Sequence, residues 1–234
     1  IDKQNEYYQK NTSNRQDLVT QFEPKNTEEW LTFQAAVIKD KAVIERAAQV
    51  ADISPRLIVT PLVVEQLRLY FSSRQIFKSA FSPLKLLGNQ SQFSWGVMGF
   101  KQETAEEVEK HLKDKNSPYY LGAKYEHTLD FTSKNPDQER FERLTNENDR
   151  YYSYLYAALY IKQIETQWKK AGHDISDRPE IIATLFNIGF EHSVPKANPA
   201  VGGAEIEING TAYTFGSLAY EFFYSEELSS QFSR

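Results

Sequence analysis

The sequence predicts a mainly helical protein with one short β-hairpin near the C-terminus. Apolar residues recur at three- and four-residue spacing over most of the chain, which is the period of an amphipathic helix. The pair Asn209-Gly210 stands between two short alternating segments and is a strong signal for a hairpin turn. An apolar content of 40%, with 14% aromatic residues, is sufficient for a hydrophobic core.

Composition limits the domain organisation and the classes of partner. The 234 residues are predicted to form a polar N-terminal arm over residues 1–25 and a single domain over residues 26–234. The net charge of −5 and the lack of a basic block argue against nucleic acid as a partner. The sequence has no cysteine, which excludes disulfides and thiolate chemistry, and no apolar run of membrane-spanning length.

The chain begins with Ile1 instead of methionine. Removal of an export signal or of a tag would leave such a start, and so would expression of a fragment. With an export signal, the expected location is the cell envelope, either the periplasm or the cell surface.

The first half of the domain is predicted to contain three helices. Residues 26–54 carry a long amphipathic pattern, and residues 54–73 follow as a second, more apolar helix. Residues 74–92 are interrupted by proline and glycine and are predicted as a loop. A third helix is predicted over residues 102–113.

The second half begins with a polar segment, residues 114–139, that lacks sustained periodicity. A long connection of this kind often lines or covers a groove. A strong helix follows and is predicted to stop at Gly172, and residues 174–192 contain another helix with a buried stripe. After the hairpin, a last helix is predicted over residues 218–227.

Glu65 is a carboxylate within an otherwise apolar helical segment. One helical turn away, three of its four neighbours are apolar and the fourth is Arg68. Apolar surroundings favour the neutral form of a carboxylic acid, and a protonated acid can donate to a leaving oxygen. The alternatives are a salt bridge to Arg68 or a capping contact to a neighbouring helix.

Three tyrosines, Tyr152, Tyr156 and Tyr160, share one helical face because they are four residues apart. Such a face could stack on sugar rings. The alternative is that the rings pack against other helices and keep their hydroxyls at the edge.

The sequence contains no glycine-rich phosphate loop, no paired histidines at metal-ligand spacing and no serine elbow. No cofactor and no metal site is therefore predicted. The histidines are expected to be ordinary surface residues: His111, His127, His173 and His192.

Three segments, taken in order, resemble a known enzyme family. The helix that carries Glu65 reads VVEQLR, a later segment reads FSWGVMGFKQETA, and a further helix ends in TLFNIGF. In the lysozyme-like domain of lytic transglycosylases and goose-type lysozymes, the helix with the catalytic glutamate precedes an S-x-G-x-M-Q loop with a later T-A. A helix ending in Y-N-x-G follows. The resemblance covers about residues 50–190 and implies an α+β lysozyme-like fold; the chain is especially similar to bacterial transglycosylase-like proteins of unknown function.

The resemblance assigns Glu65 as the catalytic residue. For the orienting serine of the loop, Ser94 is the first choice and Ser91 the second. Two positions depart from the family pattern: Gly99 stands where the family has glutamine, and Phe186 stands where it has tyrosine. With Tyr156 added from the tyrosine face, the expected substrate-binding residues are Ser94, Gly96, Met98, Gly99, Phe186, Asn187 and Tyr156.

The activity implied by the resemblance is cleavage of the β-1,4 links in peptidoglycan glycan strands, without a cofactor. One glutamate suffices in the lytic transglycosylases, because the sugar's C6 hydroxyl attacks the anomeric carbon with help from an N-acetyl group. The same glutamate first gives a proton and then takes one. A second acid is not assigned, although Glu103, Glu106 and Glu107 are near along the chain.

Two other functional classes stay open. Gly99 and Phe186 suggest an inactive relative that binds glycan without cleaving it. A purely structural helical interaction domain, in which Glu65 only pairs with Arg68, is the third possibility.

Overall fold

The computed structural model describes Tyr8, Arg15, residues 17–72 and residues 95–234. In these residues the protein is mostly helical, with a short antiparallel sheet of two strands near the C-terminus, as the sequence predicts. The helices are α1 Glu28–Lys39, α2 Lys41–Ala51, α3 Pro55–Ser72, α4 Gln102–Lys113, α5 Pro136–Thr145, α6 Tyr151–Lys170, α7 Pro179–Ile188 and α8 Phe215–Tyr224; the strands are β1 Glu205–Ile208 and β2 Thr211–Thr214. Short 3-10 turns span Glu23–Asn26, Ala123–Tyr125 and Phe190–His192.

Helix α6 lies at the centre of the fold. Every residue from 153 to 161 is buried, so that the helix presents no solvent face over more than two turns. Helices α2, α3, α4, α5 and α7 all contact it, and α8 packs on α3 and α7. The core is therefore built around one helix that is covered on all sides.

The long helix predicted over residues 26–54 is two helices, because the chain turns at Asp40. The backbone of Asp40 lies at φ −86° and ψ 3°, which ends α1. Its carboxylate accepts hydrogen bonds from the Tyr154 hydroxyl at 2.7 Å and from Arg150 at 3.1 Å. A tertiary contact with α6 thus divides an amphipathic pattern that is continuous in the sequence.

Two further boundaries differ from the prediction. Helix α5 begins at Pro136, inside the predicted connection, because the Asn135 side chain accepts from the backbone N–H of Gln138. The last helix starts three residues earlier than predicted, because Thr214 and Ser217 form a capping box at its N-terminus.

The predicted hairpin is confirmed. Strands β1 and β2 pair with Ile208 opposite Thr211, and the two turn residues, Asn209 and Gly210, have φ of 50° and 83°. Positive φ at both positions is what a two-residue hairpin turn requires. Ile206 and Ile208 are buried, so one face of the hairpin joins the core.

Two residues of the predicted N-terminal arm are packed onto the domain. The Tyr8 ring meets Tyr220 edge-on at 4.9 Å between centroids. Arg15 forms an ion pair at 3.1 Å with Glu180 of α7, whose side chain is completely buried. At these two points the arm is part of the folded core, which its polar sequence does not indicate.

Arg56 is a fully buried cation whose hydrogen-bond acceptors are all backbone carbonyls. Its guanidinium donates to the oxygens of Phe222, Phe223, Ser225 and Phe232, at 2.8 to 3.2 Å. Burial lowers the pKa of Arg56 to about 10. These bonds join the start of α3 to the end of α8 and to the C-terminal segment.

Helices α7 and α8 approach closely at Gly216. A Cβ atom at this position would lie 2.2 Å from the Thr184 hydroxyl and 2.6 Å from the Glu180 carbonyl oxygen. The absence of a side chain at Gly216 is what allows the two helices to pack at this distance.

Replacing Arg56 with methionine should lower the free energy of unfolding by about 3 kcal/mol or more, because four buried carbonyls lose their donor. Urea denaturation measures the change. Lys39→Ala, on the exposed side of α1, is the control and should stay within about 0.5 kcal/mol of wild type. A loss no larger than that of the control would show that Arg56 does not hold the C-terminal segment.

Gly216→Ala should cost about 1–3 kcal/mol, because the added methyl group overlaps Thr184 and the α7 backbone. The matched control is Gly202→Ala, where the nearest atom that a Cβ would meet is a Thr184 methyl at 3.9 Å. Thermal unfolding of both variants checks the difference. Equal melting temperatures would contradict the close contact.

Candidate functional site

A tight turn over residues 95–100 lies at the centre of the site. Trp95 and Phe100 exchange two backbone hydrogen bonds, at 2.6 and 3.0 Å. Gly96 and Gly99 have φ of 68° and 66°, a left-handed conformation that glycine adopts with little strain. The turn carries Met98 into the core, where its side chain is buried.

The turn is held directly against α3. The Gln66 side-chain amide donates to the Val97 carbonyl oxygen at 2.8 Å. At Gly99 an added Cβ would lie 2.5 Å from Oε1 of Glu65. The Glu65 carboxylate therefore packs against the backbone of Gly99, which gives a physical reason for glycine at this position.

A cavity of about 360 Å³ opens beside this turn. Its volume lies in the range of small-molecule sites. Four residues that the resemblance assigned to the substrate groove line it, namely Met98, Gly99, Phe186 and Asn187. Its other lining residues are Phe100, Lys101, Glu103, Thr104, Glu107, Tyr160, Ile188, Gly189, Phe190 and Glu191.

One wall of the cavity is aromatic. The Phe186 ring lies 5.1 Å from Tyr160 and 5.8 Å from Phe100, and Phe190 lies 4.4 Å from Tyr160, all between ring centroids. The Tyr160 hydroxyl donates to the Leu185 carbonyl oxygen at 3.4 Å, and burial raises its pKa. The wall is thus formed by aromatic rings that pack on one another.

Asn187 has a structural partner. Its side-chain oxygen accepts from the backbone N–H of Ala204 at 2.8 Å, just before β1. The residue therefore fixes the entry to the hairpin as well as lining the cavity. The side-chain oxygen of Asn187 is therefore already engaged in a hydrogen bond within the protein.

Three glutamates also line the cavity, Glu103, Glu107 and Glu191, and we call them the acidic rim. Burial, followed by the charges of Glu191 and Glu103, raises the pKa of Glu107, while Lys110 opposes the shift. Glu191 was not predicted as a site residue from the sequence. Its position directly after the segment that ends in N-x-G-F is the feature that could have indicated it.

Glu65 is buried, and both of its oxygens accept hydrogen bonds from Arg68. The distances are 2.6 Å from Nη2 to Oε1 and 3.0 Å from Nε to Oε2. The hydrogen bonds that Arg68 donates to Glu65 are the main cause of the raised pKa of Arg68. The salt bridge named as an alternative in the sequence analysis is thus present. Glu65 packs against Gly99, which lines the cavity, but Glu65 itself is not among the lining residues.

Two other predicted site residues, Gly96 and Tyr156, do not line the cavity. A Cβ at Gly96 would be 2.2 Å from the Leu144 carbonyl oxygen, so Gly96 serves packing against the end of α5. Tyr156 is completely buried and donates its hydroxyl to Glu109 at 2.6 Å. Tyr156 is therefore outside the cavity wall, and of the tyrosine face only Tyr160 lines the cavity. Ser94 and Ser91 lie outside the described residues.

His111 differs from the expected surface histidine. Its ring packs on Tyr119 and Phe190, with centroids 4.5 and 4.8 Å away, and Nδ1 shares a hydrogen bond with the Ser117 hydroxyl. Burial lowers the pKa of His111 to about 4. His111 packs against Phe190, which lines the cavity, although His111 itself does not line it.

No family model, curated protein or solved structure matches this chain. Within residues 17–72 and 95–234, together with Tyr8 and Arg15, no three or more histidine, aspartate and glutamate side chains are grouped so as to hold a metal ion. Over the same part of the chain, none of the helices combines the length and apolar character of a membrane span.

Gly99→Ala should destabilise the protein by more than left-handed backbone strain alone would, because the added methyl group would also overlap the Glu65 carboxylate. The matched control is Gly172→Ala, where φ is 82° and a Cβ would meet nothing within 4 Å. The control should lose about 1–3 kcal/mol from left-handed strain alone. Gly99→Ala should lose roughly a further 1–3 kcal/mol from overpacking, measured by urea denaturation. Equal losses would mean that Glu65 moves aside freely.

Proposed function

We propose that this protein cleaves β-1,4 glycosidic bonds in peptidoglycan glycan strands, as an enzyme of the lytic transglycosylase type with Glu65 as acid and base. The observation that supports the proposal is the packing of Gly99 on the Glu65 carboxylate, next to a cavity lined by Phe186 and Asn187. Segments that are distant in sequence meet here, and they are the segments that carry the resemblance.

The cavity suits a sugar ring chemically. Phe186 and Phe190 offer apolar ring surface to the C–H face of a sugar. Carboxylates of the acidic rim accept hydrogen bonds from hydroxyl groups. The volume of about 360 Å³ is enough to enclose a small ligand group.

In the proposed reaction, protonated Glu65 donates its proton to the glycosidic oxygen while the bond from that oxygen to the anomeric carbon breaks. The C6 hydroxyl oxygen of the same sugar then bonds to the anomeric carbon. Its proton passes to the Glu65 carboxylate, which restores the acid. No water is consumed, and the new chain end is a 1,6-anhydro sugar.

The ion pair sets a condition on this chemistry. A carboxylate with both oxygens held by Arg68 is an acceptor, so Arg68 must release at least one oxygen when substrate binds. The Arg68 side chain is 32% exposed and that of Glu65 is 6% exposed. Catalytic hydrogen bonds often reach their final geometry only in the substrate complex, and Arg68 is the partner with room to move.

A second candidate function is glycan binding without cleavage. The observation that favours it is the same ion pair, because an acid that keeps both contacts to Arg68 has no proton to give. In either case the ligand is peptidoglycan, and the proposed location is the cell envelope.

Glu65→Gln should abolish the release of anhydro-muropeptides from purified peptidoglycan, because the amide has no transferable proton. General acid–base catalysis predicts a loss of about 10²–10⁴-fold in rate. The product is identified by mass spectrometry from the loss of one water. Glu45→Gln is the matched control, since Glu45 is also a helical glutamate with a basic partner, Lys41, and is far from the cavity in sequence and exposed.

The outcomes separate the functional classes. Turnover by wild type and by Glu45→Gln, but not by Glu65→Gln, supports the enzyme. Binding of glycan strands by all three proteins with no anhydro product would replace cleavage by binding. If none of the proteins binds glycan, both proposals fail.

A further inference from the structure

The Arg68 guanidinium holds Glu65 with only part of its hydrogen-bonding capacity. Nε and one N–H of Nη2 reach the two carboxylate oxygens. An arginine has five N–H donors, and in the described part of the chain no acceptor is bound to Nη1. The side chain is also about one-third exposed, so part of it is in contact with solvent.

Glu65 itself has little freedom to leave the pair. Its Oε1 packs against the Gly99 backbone, where even a methyl group would overlap it. The preceding residues of α3, Val63 and Val64, are completely buried. If the two side chains separate, the guanidinium is therefore the group that moves.

We propose that Arg68 regulates Glu65 by exchanging its carboxylate for one on the ligand, so that the enzyme acts on glycan strands that carry a carboxylate near the bond to be cleaved. This inference rests on the proposed function of the same site. Without ligand, Arg68 holds both oxygens of Glu65. When a ligand carboxylate binds the guanidinium, Glu65 takes a proton from solvent and becomes the acid.

The exchange is chemically balanced. Arginine presents two parallel N–H groups that fit any carboxylate, so Arg68 replaces one bidentate partner by another. Glu65 then lies in apolar surroundings without a counter-charge, which favours its protonated form. A neutral ligand offers Arg68 no such partner and leaves the pair closed. The substrate's charge, and not its ring structure, would set the rate.

The test compares two substrates that differ in one group. Glycan strands freed of peptides keep the lactyl carboxylates of their sugars, and the same strands can be converted to lactyl methyl esters. Wild type, Arg68→Gln and Arg68→Lys are assayed on both, with Lys41→Gln as the control for loss of a helical ion pair. Thermal unfolding establishes that each variant is folded. If Arg68→Gln does not fold, Arg68→Lys, which retains the positive charge, takes its place in the comparison.

Wild type should cleave the carboxylate strands at least roughly tenfold faster than the esters, because only the charged ligand shifts the pair toward its open state. Arg68→Gln should lose this preference and cleave the esters faster than wild type does. Arg68→Lys should retain only part of the preference. The gain on the ester is a result that a merely structural role of Arg68 would not produce.

Other results would overturn the inference. If Arg68→Gln loses activity equally on both strands, Arg68 has only a structural role in the site. If Arg68→Gln keeps the wild-type preference for the carboxylate strands, another residue recognises the carboxylate. If wild type cleaves neither strand, the proposed function has failed, and calorimetry then compares binding of the two strands. If wild type binds the carboxylate strands more tightly than the esters and Arg68→Gln binds both equally, the result supports ligand exchange at Arg68. If wild type binds both strands equally, ligand exchange is refuted.

Discussion

The complete burial of residues 153–161 of α6 is the constraint on which the rest of the structure depends. A helix without a solvent face needs apolar neighbours on all sides, and α2, α3, α4, α5 and α7 supply them. This arrangement fixes the ends of α3 and α7 and the turn at residues 95–100 around one place. Tyr160 of α6 forms part of the cavity wall, so the central helix both organises the core and delimits the site.

Two buried charged side chains in this core, Arg56 and Glu180, are bound by partners from distant segments of the chain. Arg56 is bound by carbonyl oxygens at the end of α8, and the buried Glu180 is bound by Arg15 and Arg178. An uncompensated charge at any of these positions would be costly, so the partners hold distant segments together. The pair of Glu65 and Arg68 differs from them, because one of its members is accessible to solvent. That asymmetry makes it suited to respond to a ligand.

Gly99 and Phe186, the two positions singled out in the sequence, have different physical roles. Gly99 leaves space for the carboxylate of Glu65, and a longer side chain at that position would need the two groups to separate. Phe186 instead joins the aromatic wall between Phe100 and Tyr160 and makes it more apolar. The site therefore combines a glutamate packed on the backbone of Gly99 with an aromatic cavity wall.

The sequence by itself determined the helical class and the hairpin at Asn209-Gly210, because these follow from local periodicity and turn chemistry. Tertiary structure alone decided that the chain turns at Asp40, that Tyr156 is buried on Glu109, and that the acidic rim faces the cavity. Each depends on which groups from distant helices come into contact. Spacing along one helix allowed Glu65 to pair with Arg68, but only the fold decided that the pair forms beside Gly99.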